Sequence, residues 1–361
     1  MNNGNVNYGS VDLPDEFQKL WTCKAPSEIS SDPLIVGDRI WILAHDGSFM
    51  DSILVCIYRK SGKIIWQKEI RGIATPGLCL SSGSIIVTLI DGTICSFDSD
   101  TGVEKWQKKL DNFKILHPGL LFDENIAIAI SRPPDEPHIL LLDSNTGSEK
   151  FSFSCPKLGF FGNTWQMPVQ TGNLIILVYG TNVIAVNFES GREEWHHSTE
   201  GSLQAGPAIH SDSVFFGSGY ELYQFEVKTG IQKNVFRFSE GPKRKICVPL
   251  SIAITENRVF GGVLPGNLYA FSLSDAKLLS SCVISGGYAV ASNSIWLSTG
   301  YWSDAEPGSY SKKWNYELQE IDANSFKKKT RNITGVFENP VFSEGQMFLR
   351  YGNSISAFGR A

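Results

Sequence analysis

The sequence predicts an all-β protein: an eight-bladed β-propeller of four-stranded antiparallel blades, closed by its own N-terminal strand. Three observations predict it. One phrase, a small polar residue, Gly, three residues and an aromatic, recurs as RKSGKIIW (59–66), SDTGVEKW (99–106), SNTGSEKF (144–151) and FESGREEW (188–195). The Gly residues fall at 62, 102, 147, 191 and 230, spaced 39 to 45 residues apart, and periods near 40 with four strands per unit describe propeller blades. Finally, the two ends of the sequence hold complementary parts of one unit.

Each unit reads as four short strands with turn signals between them. The first opens near a Pro or small residue, as in DPLIVG at 32, TPGLCL at 75, HPGLLF at 117, MPVQTG at 167, GPAIHS at 206, VPLSIA at 248 and NPVFSE at 339. The second is an apolar run after a polar turn, such as DRIWILA or GSIIVTLI. The third alternates and ends at the Gly turn, as in GTICSFDSDTG. There Gly supplies the positive φ that a tight antiparallel turn needs. The fourth carries the aromatic, which is expected to lie against a neighbouring blade. These docking aromatics are Trp66, Trp106, Phe151 and Trp195.

Weaker copies follow at 267–276 (NLYAFSLSDA) and 316–324 (YELQEIDAN), and an eighth, NSISAFGRA, begins at 353. That last unit lacks an outer strand, whereas FQKLWTCKA at 17–25 is an outer-strand phrase with no inner strands before it. Pairing the two removes an exposed edge and makes Trp21 the docking aromatic of the last blade. Residues 1–16 then form a flexible polar tail and 17–361 a single domain. Seven blades is the alternative, if the irregular 290–332 unit is not a blade.

The motif around IDGTICSFDSDTGVEKW (90–106) resembles the pyrroloquinoline-quinone-like propeller repeat, and the resemblance runs through nearly the whole chain from residue 17. It implies either a quinoprotein dehydrogenase or a non-catalytic scaffold like the propeller subunit of the bacterial outer-membrane assembly machinery. The dehydrogenases typically carry an adjacent Cys–Cys pair over the cofactor. The seven cysteines here, at 23, 56, 79, 95, 155, 247 and 282, include no adjacent pair and no C-x-x-C-H haem signature.

Charge and composition narrow the function further. A net charge of −5 and a pI near 5.8 argue against general nucleic-acid binding. No apolar run approaches the length of a membrane span, so no membrane insertion is expected. The odd cysteine count, mostly inside apolar runs, reads as buried free thiols. Together with a polar N-terminal stretch lacking a signal-peptide core, this leads to an expected cytoplasmic location. A periplasmic or secreted protein is the alternative, should a native leader precede this sequence.

No GxSxG, HExxH, P-loop or GxGxxG phrase occurs, and neither catalytic residues, a cofactor nor a metal site is expected. DSDTG at 98–102 resembles the start of a calcium loop but lacks the downstream Glu. His196 and His197, adjacent on a strand, face opposite sides and do not share a metal. The informative segments are enlarged connections on one face of the ring. Second-to-third-strand connections stand out at 45–52, 131–138 and 300–315, and blade-linking ones at 156–166 and 239–247. These carry Phe160, Phe161, Trp165, Tyr301, Trp302, Tyr310 and Trp314, with Lys243, Arg244 and Lys245 as a basic cluster. Aromatics and Arg are the usual anchors of protein interfaces. The expected function is a non-catalytic scaffold that binds a protein or peptide through this loop-rich face. A carbohydrate or small-ligand binder and a quinone-dependent dehydrogenase are the alternatives.

Overall fold

The computed structural model describes residues 13–14, 16–45, 50–75, 77–111, 114–115, 119–122, 124–132, 136–154, 168–218, 221–238, 248–249, 252–264, 266–284, 288–291, 293–304, 312–334 and 340–360. They form eight antiparallel sheets and, among these residues, no helix. From the centre outward, blade 1 is Leu34–Val36, Arg39–His45, Ser52–Tyr58 and Ile64–Ile70, and blade 2 is Cys79–Ser81, Ser84–Thr88, Thr93–Asp98 and Glu104–Lys109. Blade 3 has a split inner strand (Lys114–Ile115, Leu120–Phe122), then Asn125–Arg132, Glu136–Asp143 and Glu149–Ser154. Blade 4 is Val169–Thr171, Leu174–Tyr179, Asn182–Asn187 and Arg192–Ser198; blade 5 is Leu203–His210, Ser213–Ser218, Glu221–Glu226 and Gln232–Arg237. In blade 6 the split inner strand is Val248–Pro249 and Ala253–Ile254, before Arg258–Leu264, Gly266–Ser272 and Leu278–Ile284. Blade 7 is Tyr288–Ala291, Ser294–Asp304, Lys312–Asp322 and Lys328–Thr334, so the irregular unit is a full blade. Blade 8 joins Val341–Ser343, Gln346–Tyr351 and Ser354–Gly359 to the N-terminal strand Gln18–Lys24.

The apolar runs of the middle strands follow from this stacking. Ser84–Thr88 is buried throughout because blades cover it on both faces, while the outer Glu104–Lys109 is largely exposed and charged. The core is therefore a ring of seams. One cluster joins Phe348, Ile355 and Ala357 of blade 8 to Ile40, Ile42 and Val55 of blade 1. Another joins Leu43, Leu54 and Cys56 of blade 1 to Ile85, Val87 and Phe97 of blade 2.

The recurring phrase is a device for joining blades, and it runs in one direction. Trp21 of blade 8 lies on Gly62 of blade 1, Trp66 on Gly102 of blade 2, Trp106 on Gly147 of blade 3, Phe151 on Gly191 of blade 4 and Trp195 on Gly230 of blade 5. A Cβ on Gly102 would stand 2.7 Å from the Trp66 ring, and this Gly has φ +71°; the aromatic of one blade thus requires glycine in the next. Each indole also donates to the carbonyl three residues before that Gly: Trp21 to Arg59 (2.7 Å), Trp66 to Ser99 (3.2 Å), Trp106 to Ser144 (3.1 Å) and Trp195 to Val227 (2.7 Å). A β-bulge one residue before the ring aims it at the neighbour; for example, Cys56 pairs with Trp66 while Ile57 pairs with Ile64. The rings are half-buried except that of Trp195, which is buried.

The turns themselves are held by side chains. Asp98 Oδ1 accepts from the amides of Asp100 and Thr101 and from the Thr101 hydroxyl. Asp143 and Asp322 repeat the arrangement, and Asn187 makes its amide part. The calcium-like DSDTG segment is such a turn, its acid engaged by turn donors.

The N-terminal tail begins to pack earlier than position 17. Leu13 is half-buried against the blade 6–8 cluster, Pro14 is buried, and Phe17 meets Trp296 edge-on at 5.5 Å. A polar N-terminal composition concealed these apolar contacts.

Candidate functional site: the face of the second-to-third-strand connections

In antiparallel blades, the second-to-third-strand and blade-linking connections emerge on one face, and the first-to-second and third-to-fourth turns on the other. On the first face, the structure changes the reading of two connections. Residues 131–138 and 300–315 read as loops from their Pro, Gly and Ser content, yet the flanking strands run far into both. In blade 3, pairing continues to Arg132↔Glu136. In blade 7 the hairpin has eleven cross-strand pairs, from Ser294↔Asp322 to Asp304↔Lys312, where blade 2 needs five. Residues 300–304 and 312–315 are therefore strand. Thr299, Tyr301 and Trp302 on one arm and Trp314 and Tyr316 on the other are residue types that suit a pleated ladder.

That ladder places two of the candidate positions opposite one another in register. Trp302 pairs with Trp314, and Tyr301 pairs with Asn315. Directly opposed positions share one face of a hairpin, so positions 302 and 314 belong together and 301 belongs to the other face. Ser303↔Lys313 and Asp304↔Lys312 complete the described tip. Tyr310, Phe160, Phe161, Trp165, Lys243 and Arg244 lie outside the described residues. The base of the blade 7 hairpin is firm: Trp296 is fully buried, and Glu320, also fully buried, accepts from the Ser294 hydroxyl and from Lys329 Nζ at 3.2 Å.

Nothing among the described side chains resembles an activated nucleophile. Cys23, Cys56, Cys79 and Cys95 are buried free thiols, and Cys282 is half-buried. Burial pushes Cys56 and Cys95 up to about 12 and Cys282 up to about 11, away from thiolate chemistry. Among the described residues no three His, Cys, Asp or Glu side chains gather as metal ligands. His196 bonds to Asn182 Oδ1 at 2.9 Å, whereas His197 meets Phe225 edge-on at 4.4 Å across the blade 4–5 seam. Burial, then the neighbouring His196, holds the His197 pKa below its ordinary value.

A quinone bound through calcium needs acidic and amide ligands beside a stacking platform. Among the described residues no three acids, His or Cys gather for such an ion, and the sequence lacks the adjacent cysteines.

Sequence reasoning missed three groups that organise the molecule. Arg59 is a buried cation between blades 8 and 1. Arg258 Nη1 donates to the carbonyls of Ala323 (2.7 Å) and Asn324 (3.1 Å), tying blade 6 to blade 7. Phe326 occupies the turn position that Gly holds in earlier blades, with φ 56°, and stacks on Phe260 of blade 6 at 6.3 Å. The signal for the last two was present: 276 and 326 are the first turn positions where the repeat has no Gly.

Comparison with known proteins gives one family. The family described as outer membrane protein assembly factor BamB matches residues 50–129 and 135–294. Among solved structures, BamB from Moraxella catarrhalis is similar over 96% of this chain and 100% of that one, with 14% identity and a TM-score of 0.72. A europium-containing methanol dehydrogenase is similar over 99% of this chain and 96% of that one (11% identity, TM-score 0.71). The quinohemoprotein alcohol dehydrogenase of Comamonas testosteroni covers 99% of this chain and 79% of its own (12% identity, TM-score 0.70). At such identities these likenesses show the fold alone. No curated protein matches the chain.

Proposed function

The chain belongs to the family of outer membrane protein assembly factor BamB, and from that premise we propose that it is a non-catalytic scaffold holding a protein or peptide partner on the face of its second-to-third-strand connections. The observation that carries this reading is the blade 7 hairpin. It extends several cross-strand pairs beyond what its blade requires and sets Trp302 opposite Trp314. Ordering such an extension costs conformational entropy that contacts must offset, and paired tryptophans are strong interface anchors. Tyr301 and Tyr310 on the same hairpin segment, with Phe160, Phe161, Trp165, Lys243 and Arg244 from the linking connections, complete the proposed surface.

The family's name concerns the outer membrane, which favours the periplasmic alternative over the cytoplasm. The described cysteines form no disulfide, a state compatible with either place.

Replacing residues 301–313 by a Gly-Asn turn tests the reading. The propeller should keep its circular dichroism and melting temperature and lose the partner that full-length protein retains in affinity capture. Undiminished capture by the shortened protein would move the site elsewhere. Lys243→Glu with Arg244→Glu should weaken capture less, chiefly through slower association at low salt. Incubation with calcium and pyrroloquinoline quinone tests the dehydrogenase alternative, which predicts quinone absorbance retained on the protein after gel filtration.

A further inference from the structure

The seam between blades 5 and 6 keeps the frame of the interblade joint and lacks its ring and its Gly. Blade 5 keeps the bulge: Gln224 pairs with Asn234 while Phe225 pairs with Gln232. Asn234 stands where Trp66, Trp106 and Trp195 stand in their blades. It turns inward instead, donating to Gln224 Oε1 at 2.8 Å, and Gln224 passes the chain on to Ser213 at 3.0 Å. Blade 6 keeps the receiving turn. Ala276 takes the positive φ (55°) of the missing Gly, and its amide donates to Ser272 as the Gly amides do at the same position. The carbonyl of Leu273 occupies the place of Arg59, Ser99, Ser144 and Val227, whose carbonyls each receive an indole N–H. Among the described residues it receives no donor. At the next seam Arg258 and Phe326 replace the missing joint; at this one Phe236 and Phe238 of blade 5 pack on Tyr269 and Phe271 of blade 6, with Leu273 and Ala276 only partly buried against that cluster, and among the described residues no indole reaches the turn.

What remains is a recess. A cavity of about 500 Å³ opens here, lined by His210, Asp212 and Gln224 of blade 5 and by Arg258, Leu273 and Leu279 of blade 6. It lies beside the first-to-second and third-to-fourth turns, on the face opposite the blade 7 hairpin. Its outer rim differs from the others as well. The blade 6 outer strand, LLSSCVI, has no charged residue, and Leu278, Leu279 and Val283 are exposed. Blades 2, 4 and 7 present EKWQKK, REEWHHS and KKTRNIT there. Charges of that kind keep an edge strand from pairing with other chains, and blade 6 lacks them.

We propose that the blade 5–6 seam is a second binding site, which takes a tryptophan side chain carried on an extended segment of a partner protein. The segment pairs along the uncharged blade 6 edge, as peptides add to open sheet edges. Its indole enters the recess, lies over Ala276 and donates to the Leu273 carbonyl, supplying from outside the ring that blades 1, 2, 4 and 8 supply from within. An indole is selected over an aliphatic side chain because the acceptor needs an N–H and the recess needs a flat ring. The Ala276 methyl sets the ring farther out than the glycines of the other joints, so the site binds reversibly.

The probe is N-acetyl-fluorotryptophanamide, titrated into the full-length protein and read by fluorine NMR. Saturable binding is expected, displaced by N-acetyltryptophanamide and not by N-acetylleucinamide. Asn234→Trp with Ala276→Gly builds the joint in the chain itself, and should raise the melting temperature and reduce probe affinity at least tenfold. Ala276→Gly alone should tighten binding about threefold or more by letting the ring settle. No saturable binding, equal displacement by the leucine compound, undiminished binding to the double variant, or unchanged or weaker binding to Ala276→Gly would each overturn the proposal. Should the double variant not fold, Ala276→Gly decides. The protein shortened at 301–313 should bind the probe normally, so failure of the hairpin reading and failure of this one are told apart.

Discussion

The indole Nε1 of Trp21 donates a 2.7 Å hydrogen bond to the backbone carbonyl of Arg59. Trp21 sits on the N-terminal strand of blade 8 and Arg59 at a turn of blade 1, so this bond spans the closure of the ring. The Arg59 side chain returns the contact. Its guanidinium donates to Gln346 Oε1, Glu344 Oε2 and the Ser343 carbonyl of blade 8, each at 2.8 Å, and lies 5.7 Å from the centre of the Phe348 ring. Removing the side chain leaves the part-buried Gln346 and Ser343 acceptors without this donor. Arg59→Ala should therefore destabilise the protein by about 2–4 kcal/mol. Glu344 is 75% exposed, and Glu344→Gln should cost less than about 1 kcal/mol. Chemical denaturation of the two variants checks the ratio. Equal costs would mean that the ion pair, and not the fan of hydrogen bonds as a whole, is what matters.

The N-terminal strand should be indispensable and the residues before it only helpful. Deleting 1–25 removes six cross-strand pairs with Ser354–Gly359 and exposes the edge of blade 8, so the protein should aggregate or melt far lower. Deleting 1–14 strips Leu13 from the blade 6–8 cluster and removes the buried Pro14, and should cost about 1–2 kcal/mol. Similar melting curves for the two truncations would remove the N-terminal strand from the closure.

Each Trp–Gly joint should behave as a unit. Trp66→Ala should cost about 2–4 kcal/mol, below the range for a fully buried tryptophan because the ring is half-buried. Gly102→Ala should cost about 2–3 kcal/mol, from the positive φ and from the Cβ driven against the ring. In the Trp66→Ala background the same Gly102→Ala change should cost about 1 kcal/mol, since the ring is gone. A double-mutant cycle measures the coupling; additive costs would dissociate the two residues.

Acid sensitivity should reside in the turns. The Thr101 hydroxyl and amide hold the Asp98 carboxyl below its ordinary 3.8. At Asp143, burial works upward and is outweighed by the hydrogen bonds from Thr146. A lowered carboxylate contributes stability that is present above the unfolded value and is lost as pH falls through the folded one. Stability should thus decline from about pH 4 downward. Asp98→Asn, which copies the natural Asn187 turn, should lose the carboxylate's small contribution at pH 7 and flatten the decline. Urea midpoints measured from pH 7 to pH 3 decide it; an unchanged slope would place the sensitivity elsewhere.

The sequence showed the ring because its joints are written as short local phrases. Gly102 and Trp106 stand four apart, and the same Gly-to-aromatic spacing occurs in four units, so the blade count and the mixed last blade were legible. The direction of each joint was not, because Trp66 meets a Gly of another blade and only the ring geometry says which. The blade 7 connection was misread for another reason. Gly, Ser and Pro in 300–315 suggested a loop, but backbone pairing depends on what lies across the ladder, and there the register runs on through position 302 opposite 314. Arg59 escaped notice because a lone cation at a turn looks solvent-exposed until the last blade is folded against it. Asn234 and Ala276 were invisible as a site because an absent aromatic and an absent Gly signify little until the two are seen to face each other.

The pairing that shuts the ring also fixes how it breaks under load. Gln18 lies opposite Gly359 and Lys24 opposite Ser354, so the chain enters and leaves blade 8 at the same end of the ladder. Tension applied at those two points opens the hydrogen bonds one after another, like a zip, and never loads them all together as a parallel pull on opposite ends would. A propeller anchored through its first strand and dragged by its last is thus mechanically soft at the closing blade, however firmly its other seams are joined. Any partner that must stay attached against a pull is held more securely by a blade away from that seam.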